Sequence, residues 1–167
     1  MRAGPAAMNG PYEDERTRAG AEPDAGTDPE TDPGTERGAR SRLEVCPPLG
    51  DAALNALFAA AWPGHELTDF GARLRRSLLW VAAFRGEELT GFVNVVGDGG
   101  VHAFVLDTTV HPSARRRGLG VRLVRRAADE ARRAGARWLH VDYEPHLTGF
   151  YERCGFAPTA AGLRRLG

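Results

Sequence analysis

The stretch that most limits what this chain can fold into runs from Val110 to Gly120, reading Val-His-Pro-Ser-Ala-Arg-Arg-Arg-Gly-Leu-Gly. Before it lies an apolar run, Val101 to Leu106, short enough to be a strand. After it, Leu119, Leu123, Ala127 and Ala131 recur at helical spacing, and Val124 and Ala128 widen the stripe. The stretch is therefore a strand-to-helix loop with three arginines and two glycines. Gly118 and Gly120 allow a sharp turn and leave no side chain between the main chain and a ligand. The first free N–H groups of the following helix point outward with about half a positive charge. Such a place binds phosphate.

The loop is not a Walker A sequence, since no Gly-Lys-Ser/Thr follows, and it is not Gly-x-Gly-x-x-Gly. It fits Arg-x-x-Gly-x-Gly through Arg115, Gly118 and Gly120. A second element follows about thirty residues on. His146 to Phe156 reads as a short helix ended at Gly155 and contains Phe150-Tyr151 and Gly155-Phe156. The two elements together, separated by one helix and one strand, resemble the GNAT superfamily of acyl-CoA-dependent N-acyltransferases over essentially Arg42 to Leu166. The resemblance implies a mixed, mostly antiparallel central sheet with helices on both faces. It also implies a single N-acetyltransferase domain over residues 42–167, with acetyl-CoA as co-substrate; the histidines and acids form no metal motif at a recognised spacing, so no metal is expected.

Composition divides the chain near residue 41. Residues 1–41 hold nine acids, five arginines and one aromatic, Tyr12. So little apolar surface cannot offset ordering entropy, and this part is read as a disordered, dispensable acidic tail. The whole chain has zero net charge and 22 basic residues, all arginine, which argues against a dedicated nucleic-acid binder. No apolar run approaches membrane-spanning length and no secretory signal is visible, so the expected location is the cytoplasm, with no membrane partner. Cys46 and Cys154 are then reduced thiols.

Arg42 to Cys46 reads as a first strand, stopped by Pro47-Pro48. Asp51 is the expected N-cap of a helix reaching about Trp62, with Leu54, Leu57, Phe58 and Ala61 on one face. Asp69 to Ser77 is a second short helix. Leu78 to Phe84, Leu89 to Val96 and Val101 to Val110 form an antiparallel meander joined by Arg85-Gly86-Glu87-Glu88 and Gly97-Asp98-Gly99-Gly100. A helix follows the loop and is capped by Gly135. Trp138 to Val141 is a strand whose helical crossover implies a parallel partner.

Acyl transfer from a thioester to an amine needs a base, because an alkylamine has a pKa of about 10 and attacks only when neutral. It also needs a donor for the developing oxyanion and an acid for the departing thiolate. By resemblance, the loop Arg115, Arg116, Arg117, Gly118, Leu119 and Gly120 holds the pyrophosphate of CoA. The main chain of Thr108 and Thr109 pairs with the pantetheine arm, and an N–H near Val110 meets the oxyanion. Tyr151 occupies the position of the family's acid, and attack is direct, so Cys154 need not be a nucleophile. The base is open between Asp107, at the end of the central strand, and the cluster Asp142-Tyr143-Glu144-Pro145-His146. Glu144 stands where the family often has asparagine. His65, Glu66 and Asp69 are either acceptor contacts or a polar loop, while His102 and His111 read as structural or exposed. Two rival classes are a catalytically silent CoA-binding sensor and a nucleic-acid binder using the arginine run. The acceptor is expected to be a small-molecule amine, and the resemblance allows a homodimer.

Overall fold

The computed structural model describes residues 41–166, so all of the expected tail except Ser41 lies outside the described residues. Nine helices and strands follow in the order β1 (Arg42–Val45), α1 (Asp51–Ala61), α2 (Phe70–Leu74), β2 (Leu79–Arg85), β3 (Glu88–Gly97), β4 (His102–Val110), α3 (Leu119–Arg133), β5 (Trp138–Val141) and α4 (Thr148–Arg153). Single 3-10 turns cover Pro112–Ala114 and Pro145–Leu147.

The sheet has the order β1-β2-β3-β4-β5. The first four strands pair antiparallel and β5 joins β4 in parallel. The parallel step follows from the crossover through α3, since a helix returns the chain to the same end of the sheet. The expected mixed sheet is therefore present.

Alternation along the strands sends side chains to two separate cores. On one face, Val81, Ala83, Val93, Val95, Ala103 and Val105 meet Leu119, Leu123, Ala127 and Ala131 of α3. On the other, Ala82 and Phe92 meet Leu54, Leu57 and Phe58 of α1 and Phe70 and Leu74 of α2. The helical stripe read from the sequence is thus the buried face of α3, and its arginines face outward.

Three boundaries differ from expectation, each for a local reason. Cys46 leaves the first strand with a positive φ of 49°. Gly50, not Asp51, holds the N-cap position of α1, and Asp51 sits inside the first turn. Its carboxylate accepts from Gly71 N–H at 2.9 Å and so ties α1 to α2. The second helix is five residues long, capped by Asp69, which accepts from Ala72 N–H at 2.7 Å. Gly135 behaves as expected: it takes φ 101° and donates to the Arg132 carbonyl.

Candidate active site

β4 and β5 are paired only from His102↔Trp138 to Val105↔Val141. Beyond that point β5 has ended while β4 runs on to Val110, so the two strands part. In the same place β4 carries a bulge: Phe92 faces Thr109 and Asn94 faces Leu106, which sets Asp107 and Thr108 opposite Val93 alone. Asp107 has a left-handed φ of 56°. Bulges of this kind bend a strand and re-aim its side chains, and an acid tolerates the backbone better than most residues.

A cleft of about 820 Å³ opens at this parting, a size suited to a small ligand. Its walls include Asp107 and Thr108 from β4, Phe58 and Trp62 from α1, and Asp142, Tyr143, Glu144 and Tyr151 from the chain after β5. The acids expected at the site, Asp107 and Glu144, are therefore brought to one cavity with Tyr151. His65 and Glu66 also line it, whereas Asp69 is engaged as the cap of α2. His65 is held by Asn55 Oδ1 at 2.9 Å.

Tyr151 is only 6% exposed. Its ring stacks on Tyr143 at 4.7 Å and meets Phe150 and Phe156 edge-on. Burial raises the phenol above its ordinary value, and the Cys154 thiol and Tyr143 add to this. The Thr108 side chain opposes it, being close enough to favour the ionised form. Thr108 Oγ1 nevertheless has no hydrogen bond of ordinary geometry among the described residues, although it is buried. Burial also raises the Cys154 thiol, against the pull of Arg125 and Arg153, which keeps it protonated and a poor nucleophile.

Two residues that sequence reasoning left unassigned belong to the cleft. Trp62, expected only as the end of a helix, donates from Nε1 to Thr109 Oγ1 at 3.0 Å, and Thr109 Oγ1 donates to the Asp107 carbonyl at 3.0 Å. The indole is thereby fixed against the bulge. Arg73 Nη1 lies 3.8 Å from Asp107 Oδ2, with half of its side chain exposed. Nothing in the local sequence marks either residue, because both contacts span more than thirty positions.

The Arg/Gly loop enters α3 as expected. Gly118 is the N-cap with φ 74°, and a Cβ there would meet nothing within 4 Å, so the space above the turn is open. The first α3 N–H groups have no intrahelical partner. Arg116 and Arg117 are exposed and make no hydrogen bond or ion pair among the described residues. Free N–H groups, open space and two unengaged guanidinium groups suit a pyrophosphate. Arg115 is placed differently. Its Nε donates to the Val110 carbonyl and its Nη2 to the Ala61 carbonyl, both at 3.0 Å, so it joins the end of α1 to the end of β4. Gly120 answers to packing, for a Cβ there would lie 3.0 Å from the Phe150 ring. His111 caps the 3-10 turn by accepting from Ser113 N–H, and His102 pairs with His140 at 2.8 Å, so both are structural.

Comparison with known proteins bears on this geometry. The Acetyltransferase (GNAT) family model matches residues 50–156, well over half of the chain. Glucosamine 6-phosphate N-acetyltransferase 1 of Oryza sativa subsp. japonica is 35% identical over 123 residues, covering 71% of this chain and 71% of its own. Serotonin N-acetyltransferase 2, chloroplastic, from the same plant is 31% identical over 125 residues, covering 70% and 60%. The chain spans about three-fifths of the length of several curated relatives it matches, and about a third of others. Among solved structures, a GNAT family N-acetyltransferase from Escherichia coli in complex with CoA shares the fold, with a TM-score of 0.62 at 21% identity over 74% of this chain and 72% of that one. The parted strands, the bulge and the Arg/Gly helix entry thus stand in a chain that belongs to the GNAT family of acetyltransferases.

Proposed function

We propose that this protein moves an acetyl group from acetyl-CoA to the primary amine of a small molecule by direct attack. The observation that carries this reading is the buried Tyr151 phenol in the wall of the cleft where β4 and β5 part, beside the Asp107–Thr108 bulge. The free N–H groups of α3, with Arg116 and Arg117, hold the pyrophosphate. The main chain of β4 past Leu106 has no strand on its open side among the described residues, so Thr108, Thr109 and Val110 are available to the pantetheine arm and to the carbonyl oxygen. The Val110 carbonyl is already used by Arg115, which leaves N–H groups as the more accessible partners.

In the reaction, the amine nitrogen forms a bond to the thioester carbon and the carbon–sulfur bond breaks. The proton lost by the amine goes to a carboxylate, for which Asp107 is the first choice and Glu144 the second. Asp107 has the bulge to aim it, and Arg73 Nη1 lies 3.8 Å from its carboxylate. The departing sulfur takes a proton from Tyr151, whose raised pKa keeps it in the acid form at neutral pH. The relatives named above act, by their names, on a phosphorylated amino sugar and on an aromatic amine, so the family does not select one acceptor for this chain.

The test is calorimetric titration with acetyl-CoA followed by a thiol-release assay across a panel of amines. Micromolar binding with amine-dependent release is expected. Binding without release from any amine would favour a silent CoA-binding module, and absence of binding would remove the assignment of the loop.

A further inference from the structure

The walls of the cleft carry information about the acceptor that neither the loop nor the fold contains. Four carboxylates line it: Glu66, Asp107, Asp142 and Glu144. Among the described residues, the basic side chains in the wall are Arg73, which leans on Asp107 at 3.8 Å, and His65, which is held by Asn55 Oδ1. The remaining surface is largely apolar and aromatic. Trp62 stands 49% exposed with its indole pinned through Nε1, and Phe58 and Leu147 line the same cleft.

Resting on the reading of this cleft as the acceptor site, we infer that its substrate is a cationic amine with an apolar or aromatic body and no phosphate or carboxylate group. An alkylamine arrives protonated at neutral pH, and a cleft lined by acids attracts that form and raises its local concentration. The pinned face of Trp62 offers an ordered surface for an aromatic body and for the cation itself, since an indole face attracts positive charge. The same walls oppose an anionic acceptor. A phosphate dianion needs donors in a fork, and Arg73 alone, shared with Asp107, cannot neutralise it against three further acids. Of the four, only Asp107 is in an ion pair among the described residues. The excess negative charge is therefore present before any ligand enters.

The experiment compares kcat/KM of the full chain with acetyl-CoA and amines that differ in charge and aromatic character: 2-phenylethylamine, phenylalanine, spermidine and glucosamine 6-phosphate, read by thiol release. The expected result is at least a tenfold preference for 2-phenylethylamine over phenylalanine and glucosamine 6-phosphate. In the double variant Glu66→Gln, Asp142→Asn, the KM for 2-phenylethylamine rises and its preference over phenylalanine narrows several-fold. Faster turnover of glucosamine 6-phosphate or phenylalanine would overturn the inference and leave the transferase standing. Spermidine as the best acceptor would overturn the aromatic half, and an unchanged ratio in the double variant would overturn the electrostatic half. CoA binding with no release from any of the four overturns the acceptor class, whereas loss of CoA binding itself overturns the reading beneath it.

Discussion

Tyr151 shows how one side chain serves two ends. Its ring fills a buried aromatic group with Tyr143, Phe150 and Phe156, and the residue lines the cleft. Tyr151→Phe keeps most of the packing and removes the proposed acid, so kcat should fall by roughly tens to thousands of fold, the scale of one proton donor, while the melting temperature changes little. Turnover near that of the parent would exclude Tyr151 as the acid. Its pH behaviour has a definite sign. A phenol whose folded pKa is raised stays protonated through the ordinary value of about 10. Above that pH the unfolded chain releases its proton first, so this residue makes stability fall as pH rises past about 10. Activity that depends on the acid form should likewise hold on the alkaline side until above about 10. Tyrosinate absorbance in the parent should show a late-ionising group that Tyr151→Phe lacks. The role proposed for this tyrosine rests on the resemblance carried by Phe150-Tyr151 and Gly155-Phe156. The partners that set its pKa were not legible in the sequence, since Thr108 lies more than forty positions away.

At the scale of elements, the two glycines of the loop divide their work. Gly118 is needed for its left-handed backbone beneath open space, whereas Gly120 is needed because Phe150 of α4 packs on the first turn of α3. Gly118→Asp should weaken acetyl-CoA binding at least tenfold in calorimetry, by bringing negative charge to the proposed phosphate position. Gly120→Ala should instead push on Phe150 and, through its edge contact with Tyr151, lower kcat more than CoA affinity. Equal CoA affinity in Gly118→Asp and the parent would argue against the loop as the phosphate site. A third glycine, Gly91 on β3, has no visible purpose in the sequence. A Cβ there would lie 2.7 Å from Leu123 Cδ1 and 3.3 Å from Ala83 Cβ, so Gly91 lets α3 lie close on the sheet. Leu123 is fully buried and Ala83 has no atom to swing aside, so Gly91→Ala overpacks the core by about 1–3 kcal/mol. Thermal melting should show a clear drop in the midpoint; an unchanged midpoint would mean that α3 moves away freely.

On the scale of the whole molecule, the described residues, 41–166, contain two hydrophobic cores and the cleft-lining side chains named above. A chain starting at Ser41 should therefore melt within about 2 °C of the full chain and keep its CoA affinity, which melting curves and calorimetry would check. A larger loss would assign residues 1–40 a part in folding or binding. Arg122 donating to the Ser41 carbonyl at 2.9 Å marks where the described fold begins.

What the sequence determined by itself was local and periodic. The stripe of Leu119, Leu123, Ala127 and Ala131 follows from 3.6 residues per turn, the meander from short apolar runs between turns, and the Arg/Gly entry from glycine's freedom at φ 74°. The tertiary structure decided what depends on residues far apart in the chain. It turned Arg115 onto the Ala61 and Val110 carbonyls, set Trp62 against Thr109, used Asp51 to hold α2, and parted β4 from β5 at a bulge. Side-chain hydrogen bonds and close packing are made between elements once they dock, and no spacing rule within one element encodes the partner it will meet.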